Sequence, residues 1–252
     1  AARHYIGMDT LTPNKDGKTR IPAYMGVDVG SISTNVVVID ADGNVLSRRY
    51  LMTAGRPIEA VRHGIEEVGA EVADCVELLG VATTGSGRYL TGDFVGADAV
   101  RNEITAQARA AVHIDPEVDT IFEIGGQDSK YIGIDNSVVV DFEMNHACAA
   151  GTGSFLEEQA EKLGINIKEE FGNLALGAES PVSLGERCTV FMESDLVYHQ
   201  QQGAKTDELV AGLSYSIVKN YLNRVVGDRR VGKKIFFQGG VVADFLIGGL
   251  SR

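Results

Sequence analysis

Two stretches of the chain set a carboxylate two residues ahead of a glycine turn. Asp28 precedes Gly30-Ser31-Ile32-Ser33-Thr34, and Glu123 precedes Gly125-Gly126-Gln127-Asp128. An acid at a strand end followed by such a turn suits phosphate chemistry. Glycines let backbone N–H groups come close to phosphate oxygens. The carboxylate can hold Mg2+, usually through water, or orient an attacking water. Ser31, Ser33 and Thr34 add hydroxyls. Either turn alone reads equally well as an ordinary hairpin. Together they keep one register: Asp28 aligns with Glu123, Gly30 with Gly125, Asp40 with Asp135 and Val45 with Val140, at a constant offset of 95 residues. Chance matches rarely keep one offset, so the chain carries an internal repeat. A third glycine pair, Gln238-Gly239-Gly240, would let a flat adenine or ribose approach the backbone, but alone it reads as a plain strand-ending turn.

Two of the three cysteines stand ahead of helix-like runs: Cys148 before Gly151-Thr152-Gly153-Ser154-Phe155, and Cys188 before Thr189-Val190-Phe191. A helix N-terminus favours a thiolate and an anionic metal–sulfur cluster. Two thiolates are half of the usual cluster ligand set. A twofold axis through a homodimer would supply the other two. From the residues alone, two inert buried cysteines remain an open reading. A Cys148–Cys188 disulfide is disfavoured in a reducing compartment. Cys75 lacks a glycine-rich or helix-start setting and reads as structural. His146 reads as a polar helix-start residue, with ligation as the alternative.

Elements are needed to position these groups. Tyr24 to Asp40 reads as strand, turn, strand; after the Asp42-Gly43 hairpin, Val45 to Leu51 is a third strand. Pro57 to Ala73 has helical spacing of Ile58, Val61, Ile65 and Val68. Leu78 to Thr83 is a strand that ends in Thr84-Gly85-Ser86-Gly87, and about Ala99 to Val112 is a helix. The pattern then returns as strands Thr120 to Ile124, Lys130 to Ile134 and Val138 to Phe142. Helices are expected after Cys148, with Phe155, Leu156 and Ala160 on one face, and after Cys188, with Val190, Phe191 and Leu196. A long helix over Thr206 to Val226 and a strand over Ile235 to Phe237 complete the reading. The expectation is an α/β fold of duplicated lobes, with each turn facing the other across a nucleotide cleft. Residues 1–22 read as leader or linker, 23–118 as the first lobe and 119–252 as the second.

The bulk numbers narrow the classes. A chain of 252 residues, 44% hydrophobic, can bury a sizeable core. Its net charge of −12, from 35 acids and 23 bases, argues against nucleic acid and anionic membranes as partners. No apolar run is long enough to span a bilayer, and the polar N-terminal residues lack the apolar core of a signal peptide. A cytoplasmic setting follows by default. The turn-rich leader and the stop at Arg252 suggest a segment of a longer polypeptide.

Val27-Asp28-Val29-Gly30-Ser31, Ile124-Gly125-Gly126-Gln127-Asp128 and Gln238-Gly239-Gly240-Val241 resemble, in order, the phosphate 1, phosphate 2 and adenosine motifs of the actin/Hsp70/sugar-kinase superfamily, a ribonuclease H-like fold. Val81 to Arg88 resembles its connection between lobes. Cys148-Ala-Ala-Gly-Thr-Gly-Ser-Phe-Leu156 and Glu186-Arg-Cys188-Thr-Val-Phe-Met-Glu-Ser194 are similar to the cluster segments of activators of 2-hydroxyacyl-CoA dehydratases. That family also contains the ATPase subunits of benzoyl-CoA reductase. The resemblance covers about Tyr24 to Val242. It implies a homodimer holding one [4Fe–4S] cluster through Cys148 and Cys188 of each subunit. It implies ATP or ADP contacts at Gly30, Ser31, Ile32, Ser33, Thr34, Asn35, Gly125, Gly126, Gln127, Gln238, Gly239 and Gly240. Mg2+ would be held at Asp28, with Asp28 or Gln127 orienting the attacking water. The implied activity is ATP-driven one-electron transfer, from a ferredoxin or flavodoxin to a 2-hydroxyacyl-CoA dehydratase or a similar cluster-bearing reductase. Two departures stand out: Asn35 replaces a lysine frequent in the family, and the chain is short after the adenosine turn. A small-molecule kinase of the same fold, using a carboxylate such as Asp128, and a nucleotide-dependent scaffold are the alternatives.

Overall fold

The structure, a computed structural model, describes residues 20–145, 152–167, 169–185 and 189–240. Cys148, Cys188, His146 and Arg187 lie outside the described residues. The chain divides into two compact units, residues 1–106 and 107–252.

The first unit is built on a five-stranded sheet. Strands β1 (Ile21–Val29), β2 (Ser33–Asp40) and β3 (Val45–Met52) form an antiparallel meander. Helix α1 (Pro57–Val72) leads to β4 (Val76–Thr84), which pairs parallel with β1. Helix α2 (Arg88–Val95) and the two-residue β5 (Ala99–Val100) follow, giving the order β3-β2-β1-β4-β5. Strand alternation explains the core: Ala23, Met25, Val27 and Val29 are buried on β1, and Thr34, Val36, Val38 and Asp40 on β2. Pro57 opens α1, where its missing N–H costs nothing. The helix buries Val61, Gly64, Val68 and Val72, a helical stripe. It packs against the meander so closely that a Cβ on Gly64 would meet Val36 Cγ2 at 2.7 Å. Polar clasps join its outer turns to β3, with Ser47 donating to Glu71 and Arg49 pairing with Glu67 and Glu71.

The second unit repeats the plan with a longer excursion. Helix α3 (Glu103–Ile114) carries the division between units and leads to the meander β6 (Thr120–Ile124), β7 (Ser129–Asp135) and β8 (Val138–Met144). Among the described residues, four α-helices follow: α4 (Gly153–Leu163), α5 (Phe171–Gly177), α6 (Thr189–Gln201) and α7 (Thr206–Tyr221). Strand β9 (Ile235–Gln238) then returns to pair parallel with β6, giving the order β8-β7-β6-β9. The core gathers Phe122 and Tyr131 of the sheet, Phe155 and Leu156 of α4, Met192 and Leu196 of α6 and Leu209, Leu213 and Ile217 of α7. Phe122 meets Tyr221 and Phe237 edge-to-face at 5.4 and 5.6 Å.

The duplicated α/β fold expected from the sequence is the observed one. Four local readings change. The helix expected from Ala99 begins instead at Glu103, because Ala99 and Val100 pair with β4 and the Asn102 side chain accepts the Ile104 N–H. Val81 to Arg88 does not link the lobes; it lies inside the first unit, where Val81–Thr84 belong to β4 and Arg88 opens α2. Phe191 does not share the buried face of α6 with Leu196. The two stand about 140° apart around the helix, and Met192, one turn from Leu196, is buried instead while Phe191 is exposed. Finally, α7 is α-helical only to Tyr221 and continues as a π-helical turn over Leu222–Val226.

Candidate phosphate turns and the segments tied to them

In the first unit, Asp28 faces Asn35 across the β1–β2 pair, with Asn35 Nδ2 3.5 Å from Asp28 Oδ2. Ser31 and Ile32 form the tip of the turn, which closes by the Gly30 N–H donating to the Ser33 carbonyl at 2.9 Å. Its carbonyls are tied to the chain leaving β3. Thr53 donates its hydroxyl to Gly30 O at 2.9 Å and its N–H to Ile32 O at 2.7 Å. The Thr34 hydroxyl is buried, 2.9 Å from that of Thr53. On the other flank, Thr84 of β4 stands beside Asp28, and its Oγ1 is shielded from solvent without a hydrogen-bond partner. Gly85 follows at φ +85°, where a Cβ would lie 2.5 Å from Asp28 Oδ1.

The second unit repeats this construction with a different charge. Glu123 faces Lys130 across the β6–β7 pair, as Asp28 faces Asn35. The Lys130 ammonium donates to Glu123 Oε2 at 3.1 Å and to Asp128 Oδ1 at 2.9 Å. Lys130 is only 2% exposed, so the ion pair lies in the interior. The Gly125 N–H donates to the Asp128 carbonyl at 2.9 Å, matching Gly30 and Ser33. Among the described residues, the N–H groups of Gly126 and of the exposed Gln127 make no hydrogen bond. Tyr221 donates from below to the Lys130 carbonyl at 2.7 Å; burial, with Glu123 nearby, raises its pKa and keeps its proton in place.

The fourth strands correspond as well. Gln238 of β9 stands beside Glu123, as Thr84 of β4 stands beside Asp28. Gly239 follows at φ +101°, with room for no Cβ because the Ile124 carbonyl oxygen would be 2.3 Å away. Gln238 Nε2 is shielded and unpartnered. The structure thus brings Gln238-Gly239 against Glu123 and Ile124 within one unit. It also reveals Thr84-Gly85 as their counterpart in the other, which the sequence reading missed. The one signal for it was the glycine-rich turn after an apolar strand.

The segment containing Cys148 leaves and re-enters the described residues on the second turn. Asn145 donates its N–H to Ser129 O at 2.9 Å. Gly153 and Ser154 donate theirs to Gly125 O at 2.9 Å and Gly126 O at 2.7 Å, and the Ser154 hydroxyl also reaches Gly126 O at 2.5 Å. The segment containing Cys188 enters from Gly185, whose N–H donates to Asp195 of α6 and whose carbonyl accepts from Ser216 of α7. Helix α6 starts at Thr189, next in the chain after Cys188. Cys75 is half-buried and its thiol donates to the Val72 carbonyl at 3.2 Å. Among the described residues no group of three or more His, Cys, Asp or Glu could hold a metal, and no helix is long and apolar enough to cross a membrane.

Comparison with known proteins follows the same lines. The profile of the BadF/BadG/BcrA/BcrD ATPase family matches residues 25–247. The 2-hydroxyisocaproyl-CoA dehydratase activator of Clostridioides difficile is 31% identical over 230 residues, covering 90% of this chain and 81% of that protein. Component A of the (R)-2-hydroxyglutaryl-CoA dehydratase of Acidaminococcus fermentans superposes with a TM-score of 0.82 at 26% identity, covering 91% of this chain and 86% of that one. The Clostridium difficile activator with bound ADPNP gives 0.79 at 29% identity, covering 88% and 81%.

Proposed function

The chain belongs to the BadF/BadG/BcrA/BcrD ATPase family, and on that premise we propose that it is an ATP-dependent activator, passing single electrons at low potential to a 2-hydroxyacyl-CoA dehydratase or a related cluster-bearing reductase. One observation carries this reading. The turn that would take phosphate and the segment that bears Cys148 are joined by direct hydrogen bonds, Gly153 and Ser154 to Gly125 and Gly126. A change at the phosphates would therefore act on the start of α4 without intermediaries. Similarity to dehydratase activators, one of them with bound ADPNP, supports it.

The nucleotide contacts are assigned to Gly30–Asn35, Gly125–Gln127 and Gln238–Gly240. Asp28 would hold Mg2+, through water, and either Asp28 or Gln127 would orient the water that attacks the terminal phosphate. Hydrolysis to ADP and phosphate makes the cycle directional. Cys148 and Cys188 of two subunits would hold a [4Fe–4S] cluster on the dimer axis. The start of α6 beside Cys188 suits that anionic group, because a helix N-terminus is positive. When bound, the cluster supplies reversible one-electron transfer; a ferredoxin or flavodoxin delivers the electron and the reductase accepts it. Asp128, the carboxylate a kinase reading would use, is instead tied to Lys130.

Anaerobic purification with iron and sulfide analysis tests this. About four irons per dimer with brown absorbance are expected, and C148S is expected to lose them. A full iron complement in C148S would end the ligand assignment. No iron after reconstitution of the wild-type protein would end the electron-transfer reading.

A further inference from the structure

We propose that Thr84 is a further residue of the hydrolytic site, its hydroxyl accepting a hydrogen bond from the water that attacks the terminal phosphate and so helping to aim that water. The inference rests on the nucleotide reading and deepens it, by naming a group on the flank of the first turn.

The first observation is a hydroxyl without a partner in a well-built place. Thr84 Oγ1 is shielded from solvent and makes no hydrogen bond, in a residue that stands in register beside Asp28. Its neighbour Thr83 is buried as well, yet donates its hydroxyl to the Arg88 carbonyl at 2.9 Å. Shielded polar atoms without partners are rare, and one beside a phosphate turn marks a place for a ligand or its water. The backbone that carries Thr84 is held firmly. Gly87 donates its N–H to the Val29 carbonyl at 2.9 Å, and the Arg88 guanidinium donates to the Gly85 carbonyl at 3.0 Å.

The repeat supplies the second observation. Gln238, which stands beside Glu123 as Thr84 stands beside Asp28, also keeps a shielded atom without a partner, Nε2. Each of the two residues is followed by a glycine at positive φ, pressed on the carbonyl of the residue after the acid: Gly85 on Val29 and Gly239 on Ile124. Both strands thus end in the same close approach to a phosphate turn, and each leaves one side-chain polar atom for what that turn binds.

Charge selects water as the occupant. A Cβ on Gly85 would lie 2.5 Å from Asp28 Oδ1, so the carboxylate stands against this turn. A phosphate oxygen is repelled there, whereas a water is not. Asp28 is otherwise engaged, in part by the Asn35 amide at 3.5 Å, and keeps those interactions. The Thr84 hydroxyl accepts from the water and leaves a water lone pair for phosphorus. In the step itself the water oxygen bonds to the terminal phosphorus as the bond from that phosphorus to the bridging oxygen of ADP breaks. One water proton stays on the released phosphate and the other passes to solvent.

ATP hydrolysis, ADP titration calorimetry and thermal unfolding test this on wild type, T84V, T84S and T83V. T84V is expected to lower kcat about tenfold to a hundredfold, with ADP affinity and the Mg2+ concentration for half-maximal rate within about twofold of wild type. T84S, which keeps the hydroxyl, is expected to stay within about threefold in kcat. T84V should melt no lower than wild type, since it removes an unpartnered hydroxyl, whereas T83V should melt about 2–4 °C lower. A T84V rate within about twofold of wild type, or a T84S as slow as T84V, would overturn the inference. A T84V that melts below wild type as T83V does, or fails to fold, would make the hydroxyl structural and overturn it too. An ADP loss that matches the rate loss would make Thr84 a nucleotide contact, and a tenfold shift in Mg2+ dependence a cation ligand; either would overturn the water assignment. Wild-type protein that neither binds ADP nor hydrolyses ATP would remove the nucleotide reading and this inference together. Wild-type protein that binds ADP but leaves ATP intact would remove this inference alone.

Discussion

A methyl group on Gly239 would lie 2.3 Å from the Ile124 carbonyl oxygen, at a backbone φ of +101°. Both the clash and the left-handed backbone oppose any side chain there. G239A is therefore expected to lose more than about 1 kcal/mol in urea unfolding. G240A, whose Cβ would meet nothing within 4 Å, is expected to stay within about 0.5 kcal/mol of wild type. Equal losses would show that Gly239 matters only for chain flexibility. The sequence already singled out this glycine pair but could not rank its members, because the obstructing Ile124 carbonyl is more than a hundred residues away in the chain. Lys130 was likewise read only as a strand residue. Its ion pair with Glu123 follows from cross-strand register, which a linear motif does not display.

At the scale of elements, the start of α4 is fastened to the second turn rather than capped by its own side chains. Thr152 occupies the cap position without a side-chain cap bond, and Ser154 reaches out to Gly126. S154A is expected to cost about 1 kcal/mol and to speed amide hydrogen exchange in the first turn of α4. Exchange at α7 should not change. Unaltered exchange at α4 would mean that the two backbone bonds of Gly153 and Ser154 suffice. Most elements were legible, since alternation on β1 and β2 and the apolar stripes of α1, α4 and α7 are local patterns. The buried face of α6 was not. Phe191, Met192, Leu196, Val197 and Tyr198 are apolar around most of the helix, so only packing decides that Met192 and Leu196 turn inward.

At the scale of the molecule, each unit has its own sheet and its own core. Nucleotide bound to the folded chain stabilises it by mass action. ADP at about a hundred times its dissociation constant is expected to add about 2.7 kcal/mol. Thermal unfolding that ignores ADP and Mg2+ at such concentrations would speak against a nucleotide site.

The sequence by itself determined the duplication of the first three strands and the identity of the acid–glycine turns. Strand, turn and hairpin signals are local, and a common offset of 95 residues keeps them aligned. It also placed Cys148 and Cys188 ahead of α4 and α6. Only the tertiary structure decided that the duplication extends to β4 and β9. Among the described residues, one helix separates β3 from β4 whereas four α-helices and a π-helical turn separate β8 from β9, so no fixed offset survives. It alone brought Thr84 beside Asp28 and Gln238 beside Glu123. It alone set an amide in one turn against an ammonium in the other, because a parallel strand pair or a cross-strand partner exists only once the sheet has formed.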